Sequence, residues 1–409
     1  MLRFEKYLFY GLVLLALSII ILPKFYITGD GPSHTYNAKV LFDEAFNHER
    51  SFYNEFYLIN RNLDPNWIGH LIIGFFLQFM PYWLADKSFQ IIYLISFVFG
   101  FRYLIRSIGA ENSFLSFLFF PFLFTLPFQE GFYNYSIGLA MMCLSLGYFI
   151  RIKHHLDNPA KQITLSLLLL LTAFSHGMPV LYTMLMITLI WVSENFHLFI
   201  PFDFRKLSVQ LSRLALVFMP SILMIFLFML KRGSGTEPHE LSVWTKFINF
   251  LKWYASQSTR HAEVYPAVAC GILLFSFLMV LLFTRIKVNL PKKMALGFVF
   301  LFMMLFTFIS YLSCPHSIGG AGSIDIRLAF LPPMFLLFYF STKKWTDLSK
   351  VIFVAASFFI SITFLVIRFP YVMKASAIGK EIMSATDFIE DKSVVLNLHF
   401  DYWQQLPKG

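Results

Sequence analysis

Long apolar runs separated by short polar segments make up most of this chain. A helix needs about 20 apolar residues to cross a bilayer core. Backbone groups in lipid must be hydrogen-bonded within the segment, so the runs predict α-helices. The pattern predicts an all-α polytopic membrane protein with about eleven transmembrane helices, all within residues 1–368. The predicted spans are Tyr7–Leu22, Lys87–Arg106, Ser113–Phe128, Tyr135–Ile150, Ile163–Ser175, Val180–Val192, Val209–Leu230, Ala267–Phe283, Met294–Leu312, Leu328–Phe340 and Lys350–Ile367.

The first predicted span has two interpretations, a cleaved signal peptide or a retained helix. Arg3 and Lys6 precede it, as basic residues precede a signal peptide. The segment that follows, Pro23–Tyr26, contains no small-x-small cleavage site, and the apolar run is long enough to span. We therefore predict a retained helix with its N-terminus in the cytoplasm.

Lysine and arginine residues gather at one end of successive predicted spans, which sets the expected orientation. Cytoplasmic loops of membrane proteins are enriched in these residues, so we place all of these groups in the cytoplasm. The groups are Arg102 and Arg106; Arg151, Lys153 and Lys161; Arg205, Lys206 and Arg213; Arg285, Lys287, Lys292 and Lys293; and Lys343, Lys344 and Lys350.

This orientation requires that the apolar segment Asn66–Ala85 does not cross the membrane. It contains His70, Gln78 and Trp83, which are typical of the membrane interface. We therefore predict a first outer loop over residues 28–85, with juxtamembrane helices that lie in the interface or dip in and return. The alternative is a true crossing, which would move most of the basic groups to the outside.

Composition agrees with a membrane protein and argues against a nucleic-acid partner. The chain of 409 residues is 57% hydrophobic and 14% charged, with a mean hydropathy of +0.65. Soluble domains are about half apolar and about a quarter charged. The net charge of +10 is spread over the predicted span ends and forms no single basic patch. The three cysteines show no metal-binding spacing.

A polar cluster, Gly29–His34, directly follows the first predicted span. Asp30 and His34 would share a helix face if a helix starts at Pro32, a residue that suits a helix N-terminus. A carboxylate in this position can act as a general base, and we predict that Asp30 and His34 are catalytic. The alternative for Asp30 is a helix cap, since Asp is a favoured N-cap residue.

Two further segments on the predicted outer side contain candidate site residues. Glu130 lies in a short outer loop, where its carboxylate could bind a metal or the acceptor and so join the catalytic group. The alternative is an acid of the interfacial loop without a partner. Arg327 follows a glycine-rich turn, and its guanidinium matches phosphate geometry. Asp325 could orient Arg327, or the two could form a structural pair at a helix start.

The remaining candidates are substrate-binding residues near predicted outer boundaries. Arg260 and His261 lie in a long outer loop, residues 231–266, and loops of this length are often functional. The simpler alternative for them is a solvated charged loop. His316 precedes the glycine-rich turn. His176 and His70 stand at ends of apolar segments, where an interhelical hydrogen bond is the simpler alternative.

The layout resembles that of the GT-C superfamily of polytopic glycosyltransferases, such as protein O-mannosyltransferases and aminoarabinose transferases. The resemblance lies in one helix, an acid just after it (Asp30), juxtamembrane helices, and a second acid in the next short outer loop (Glu130). The first motif is Asp-Gly-Pro-Ser-His, where several members have Asp-Glu, and the second acid stands without an Asp-x-Asp.

This resemblance implies transfer of a sugar from a polyprenyl-phosphate donor in the membrane. The acceptor would be an envelope glycan, lipid or protein at the outer face of a bacterial plasma (inner) membrane. A divalent metal is a cofactor that the resemblance leaves open.

The C-terminal segment, residues 369–409, is predicted to be a short extracytoplasmic tail. Ala377–Ile389 reads as a helix and Ser393–Phe400 as a strand. Related GT-C proteins often have a soluble domain here, so the tail could be a truncated one. A lone helix and strand cannot form a stable core, so we expect the tail to dock on the membrane domain or to be loosely ordered.

Two other function classes stay open. An O-antigen polymerase or ligase would also be polytopic with a long outer loop, and would depend on Arg and His in late loops. A lipid or sugar transporter or flippase would place ionisable groups at mid-depth in broken helices. The predicted spans have little charge there, and no nucleotide-binding motif is present.

Overall fold

The computed structural model describes residues 2–46, 53, 56–60, 62–198, 203–231, 241–257, 262–283, 291–317 and 322–390. These residues form helices and connections, without a strand. The α-helices are α1 Leu2–Ile21, α2 Gly31–Phe46, α3 Ile68–Leu77, α4 Tyr82–Ile108, α5 Leu126–Gln129, α6 Tyr133–Ile152, α7 Pro159–Ser175, α8 Gly177–Glu194, α9 Phe204–Leu230, α10 Val243–Leu251, α11 Val264–Phe283, α12 Pro291–Ser313, α13 Ile324–Ala329, α14 Leu331–Phe340 and α15 Asp347–Ser384.

Within the described residues, eight helices are long and apolar enough to cross a membrane. This confirms the predicted all-helical, multi-pass membrane protein. The eight candidate segments are Phe4–Ile21, Tyr82–Ile108, Tyr133–Ile152, Gly177–Glu194, Phe204–Leu230, Val264–Leu282, Leu296–Ser313 and Asp347–Phe388.

The other predicted spans correspond to shorter elements. Residues 113–128 lie in a 3₁₀ helix of 13 residues, Ala110–Phe122, followed by the short helix α5. Helix α7 has 17 residues. Residues 328–340 are divided between α13 and α14, which meet at Phe330.

The 3₁₀ helix Ala110–Phe122 lies inside the bundle, where every residue from Asn112 to Phe122 is buried. It packs mainly against α4 and α15. The rings of Phe119 and Phe101 stack with centroids 3.8 Å apart, and Arg102 on α4 donates to the hydroxyl of Ser116 at 2.8 Å. At about 2.0 Å per residue, a 3₁₀ helix of this length covers about 26 Å, close to the thickness of a bilayer core.

Hydrogen bonds and ion pairs show which helix ends lie together. At one end of the bundle, Arg102 pairs with Glu5 at 2.8 Å, and the amide of Asn112 donates to the carbonyls of Ser341 and Lys343. At the other end, Lys87 donates to the carbonyl of Pro23, Gly29 pairs with Gln129, and Asn66 pairs with Ser175. We call these the Asn112 end and the Asp30 end.

The segment between α1 and α4 lies at the Asp30 end. Helix α3 has 10 residues, which is about 15 Å and half of a bilayer core. It starts where Trp67 donates to the carbonyl of Phe174, at the end of α7. Helix α2 packs along it, with the ring of Phe42 against Gly74.

Helix α15 has 38 residues and continues past the end of the predicted span at Ile367. The predicted boundary between residues 368 and 369 therefore falls inside a helix. The side chain of Arg368, at this boundary, is buried against Glu263. Beyond it, Ser376 accepts a hydrogen bond from the backbone of Phe25, so this part of α15 docks at the Asp30 end. The predicted strand Ser393–Phe400 lies outside the described residues.

Candidate active site

A tight turn after α1 places Asp30 against the connection between α5 and α6. Gly29 donates to the carbonyl of Gln129 at 2.8 Å, and Asp30 donates to the carbonyl of Glu130 at 2.9 Å. A Cβ added at Gly29 would meet the Glu130 carbonyl oxygen at 2.8 Å. The two acids singled out in the sequence are therefore neighbours through their backbones.

Gly131 makes this close approach possible from the opposite side. Its φ of +87° is a left-handed conformation that side chains disfavour. A Cβ there would lie 2.4 Å from the backbone nitrogen of Asp30. Substitution of Gly131 would thus push the Asp30 turn out of place.

Asp30 directly precedes helix α2, as the sequence predicts, and its side chain is exposed. The backbone N–H of His34 donates to the Asp30 carbonyl at 2.9 Å, so the two residues are one helical turn apart. The Asp30 carboxylate makes no hydrogen bond with the described residues, so no capping hydrogen bond occupies it. This carboxylate can therefore receive a proton from a substrate.

His34 and His70 form a chain of hydrogen-bonding atoms between two backbone carbonyls. His34 Nε2 is 2.9 Å from the Gly131 carbonyl, and His34 Nδ1 is 3.1 Å from His70 Nε2. His70 Nδ1 is 3.0 Å from the carbonyl of Asn66, a residue with a φ of +72°. The chain ties α2 to α3 and to the α5–α6 connection.

Burial makes protonation of both imidazoles unfavourable. The pKa of His34 is lowered to about 4, chiefly by burial and also by the neighbouring His70, while Asp30 and the Gly131 carbonyl oppose this change. Burial also lowers the pKa of His70, against the effect of its hydrogen bond to Asn66. Both side chains are therefore neutral near pH 7.

Tyr133, at the start of α6, packs against the face of the His34 ring. The two rings stack with centroids 5.3 Å apart. The Tyr133 hydroxyl accepts hydrogen bonds from Thr28 and Gln90 and donates to Asp86 at 2.8 Å. These bonds leave little freedom for the Tyr133 ring, and so they fix the position of His34.

Arg327 approaches the same region from α13. Its guanidinium lies 4.2 Å from the centroid of the Phe132 ring, and its carbonyl accepts a hydrogen bond from the Tyr135 hydroxyl. Asp325, two residues earlier, is buried and pairs with His316 Nδ1 at 2.9 Å. The Asp325 carboxylate therefore anchors the segment before α13 through His316.

A cavity of about 680 Å³ opens between these groups. This lies within the range of about 300–1,000 Å³ that is usual for ligand pockets. Its polar lining includes Asp30, Asn66, His34, His70, Asn134, His176 and Arg327. Its apolar lining includes Leu181, Leu185, Ile225, Phe228, Met229 and Phe306, from α8, α9 and α12.

The cavity joins several predicted site residues and leaves out others. Asp30, His34, His70, His176 and Arg327 line it, whereas the lining does not include Glu130 or His316. The imidazole of His176 also accepts a hydrogen bond from Met178 and so caps α8. Arg260 and His261 lie outside the described residues.

Sequence reasoning did not select Asn134 or Asp86. Asn134 lines the cavity, and its side-chain oxygen accepts a hydrogen bond from the backbone of Gly69 at 2.7 Å. Asp86 binds Tyr133 from the first turns of α4. The sequence signal that could have identified Asp86 is an acid at the start of an apolar helix. For Asn134 the only such signal was its position close to Glu130.

Among the described residues, no group of three or more His, Cys, Asp or Glu side chains could hold a metal ion.

Comparison with protein-family models, with curated proteins and with solved structures finds no match to this chain.

Proposed function

We propose that this protein is a membrane glycosyltransferase that transfers a sugar from a polyprenyl-phosphate donor to an envelope acceptor. The observation that supports this most is the division of the cavity into a polar half and an apolar half. A lipid-linked sugar is divided in the same way, into a charged head and a hydrocarbon tail. The GT-C resemblance of the sequence agrees with this substrate class.

The apolar half of the cavity suits a lipid chain. Leu181 and Met229, which line it, belong to the apolar helices α8 and α9 and are exposed in the absence of a ligand or lipid. Exposed apolar side chains on such helices are suited to contact lipid. A donor could thus enter sideways from the bilayer while its tail stays in an apolar environment.

The polar half supplies the groups that glycosyl transfer requires. The acceptor hydroxyl gives its proton to the Asp30 carboxylate as its oxygen bonds to the anomeric carbon. The bond between that carbon and the phosphate oxygen breaks, and the electron pair leaves with the phosphate. Arg327 binds the phosphate and stabilises its charge.

A direct assay tests the proposed function. The protein, reconstituted in liposomes, is incubated with a panel of short-chain polyprenyl-phosphate sugars and an envelope extract. Release of polyprenyl phosphate together with a glycosylated acceptor is the expected result. Absence of release with every donor in the panel would contradict the proposal.

Arg327→Ala is expected to raise the donor KM by about 10- to 150-fold, the range for losing one hydrogen bond to a charged group. Arg327→Lys should recover only part of this, because Lys cannot bind phosphate with a planar pair of donors. Arg106→Ala, an exposed arginine at the Asn112 end, is the matched control. An unchanged KM in Arg327→Ala would exclude the phosphate-binding role.

We also propose about eleven crossings, with the Asp30 end outside a bacterial plasma membrane and the N-terminus in the cytoplasm. The support is that the 3₁₀ helix with α5, helix α7, and α13 with α14 each extend between the two ends of the bundle. In this topology α2 and α3 are juxtamembrane helices, and α15 leads to an extracytoplasmic C-terminus.

Cysteine labelling tests this topology. In a Cys314→Ser background, Leu58→Cys should react with a membrane-impermeant maleimide in intact cells, since Leu58 is 97% exposed and lies between α2 and α3. His155→Cys, exposed at the Asn112 end, should react only after permeabilisation. Labelling of both in intact cells would instead indicate that Asn66–Ala85 crosses the membrane.

A polymerase or ligase of envelope polysaccharide is the second candidate. Arg327 in the cavity favours it, since such an enzyme would depend on late-loop arginine and histidine residues. The two candidates differ in their need for Asp30, and an active Asp30→Asn variant would favour the second. A transporter or flippase has less support, because the polar lining of this cavity lies at one end of the bundle.

A further inference from the structure

The His34–His70 chain has fewer protons than hydrogen-bonding positions when both imidazoles are neutral. The carbonyls of Gly131 and Asn66 can only accept, so each end of the chain needs an N–H. The contact between His34 Nδ1 and His70 Nε2 needs a third. Two neutral imidazoles have two N–H groups, so one of the three hydrogen bonds is missing.

One added proton completes the chain. The pair then carries a single positive charge and three N–H groups, one for each carbonyl and one between the rings. A second added proton would place two N–H groups against each other at the 3.1 Å contact between the rings. The geometry is therefore suited to one extra proton and not to two.

The surroundings of the pair combine opposing effects. Burial disfavours the charged form of both rings, while Asp30 favours the charged form of His34. The basic residue of helix α7, Lys161, lies in its first turn, whereas the last turn of α7 contacts the segment before α3. The titratable and charged groups that line the cavity with the pair are Asp30, Tyr133, Tyr135, His176 and Arg327. Further titratable groups are Glu130 on the α5–α6 connection, Asp86, which binds Tyr133, and Asp64, two residues before Asn66 in the sequence.

We infer that His34 and His70 form a single proton-binding site which, on the proposed function, receives the proton of the acceptor hydroxyl from Asp30 through the solvent of the cavity that all three residues line. Once the new glycosidic bond has formed, this transfer returns Asp30 to its ionised form. The proton is then lost to solvent from the cavity, and the neutral pair is restored. His34 and His70 are positioning residues in this scheme, since they act on the reaction through Asp30.

A titration without substrate tests the proton-binding site. The protein is labelled with ¹⁵N-histidine, reconstituted in lipid, and studied by solid-state NMR as the pH is lowered. His34 and His70 should titrate together, taking up one proton between them in one step. Two separate steps, one proton for each ring, would overturn the inference.

His34→Phe assigns the resonances, because it keeps the ring stacked on Tyr133 and removes both nitrogens. His70 should then titrate about one to two pH units lower, as expected for the loss of one hydrogen bond to a charged group. An unchanged His70 titration would also overturn the inference.

The pH profile of sugar transfer tests whether the His34–His70 pair accepts a proton during the reaction. His34→Gln keeps an N–H for the Gly131 carbonyl but cannot take up a proton. It should lower kcat by about 100-fold, with the donor KM unchanged. In the wild type, kcat should fall as the pH is lowered through the joint titration, and His34→Gln should lose the part of the acid limb that coincides with that titration. His155→Gln, exposed at the Asn112 end, is the control.

The outcomes separate the two proposals. A wild-type kcat and pH profile in His34→Gln would overturn the role of the pair. A joint titration in a protein that transfers no sugar from any donor would overturn the proposed function and leave the proton-binding site standing.

Discussion

Replacing Asp30 by Asn is expected to lower kcat for sugar transfer by about 100- to 10,000-fold, the usual contribution of a general base. The reason is that the Asp30 carboxylate is exposed, lines the cavity and has no hydrogen bond to the described residues. An amide of the same shape cannot take a proton from the acceptor hydroxyl. The measurement is the initial rate of polyprenyl phosphate release at saturating donor, with insertion and monodispersity of the variant checked in parallel.

Two further carboxylate-to-amide variants serve as controls for Asp30→Asn. Asp157→Asn, exposed at the Asn112 end, should retain wild-type activity. Glu130→Gln should lower the rate much less than Asp30→Asn, because Glu130 holds the Asp30 turn through its backbone carbonyl. A full rate in Asp30→Asn would remove Asp30 from the chemistry, and a loss in Glu130→Gln as large as that expected for Asp30→Asn would add Glu130 to it.

The apolar periodicity was sufficient to predict the fold class, because a bilayer imposes length and hydropathy on each spanning helix. It did not distinguish α-helix from the 3₁₀ helix at Ala110–Phe122. Both helix types form their backbone hydrogen bonds within the segment. The choice between them at Ala110–Phe122 depends on how this segment packs between α4 and α15. Such a choice is made by tertiary contacts and has no local signal.

The site was predictable in part. The spacing of Asp30 and His34 indicated one helix face, and the structure has them one turn apart before and within α2. The partnership of His34 with His70 joins residues 36 positions apart. It depends on how α2 and α3 pack, which periodicity does not determine. Asn134 was missed for the same reason, since its partner Gly69 belongs to α3.

Arg368 is a buried charge that the sequence pattern did not predict. It directly follows the predicted span that ends at Ile367, but α15 continues to Ser384, and the Arg368 side chain is buried. The guanidinium Nε donates to Glu263 at 2.7 Å, with the two side chains 1% and 0% exposed. Within the described residues, Nη1 and Nη2 of Arg368 have no hydrogen-bond partner. A buried pair satisfied in this incomplete way is costly to separate and gives little net stability.

Glu263→Gln is therefore expected to destabilise the protein by about 3–5 kcal/mol, because it leaves the buried Arg368 charge without its counter-ion. The measurement is thermal unfolding in detergent, followed by loss of the monodisperse species. The double variant Glu263→Leu with Arg368→Met removes both charges and should lie within about 1 kcal/mol of the wild type or above it. Surface pairs behave differently, and Asp347→Asn, which removes the exposed partner of Lys350, should change stability by less than about 1 kcal/mol. A double variant as unstable as Glu263→Gln would mean that the pair itself, and not its separation, determines the loss. The position of α15 against α11 would then depend on the ion pair, since the contacts of Arg368 with the rings of Phe124 and Phe364 would not be sufficient.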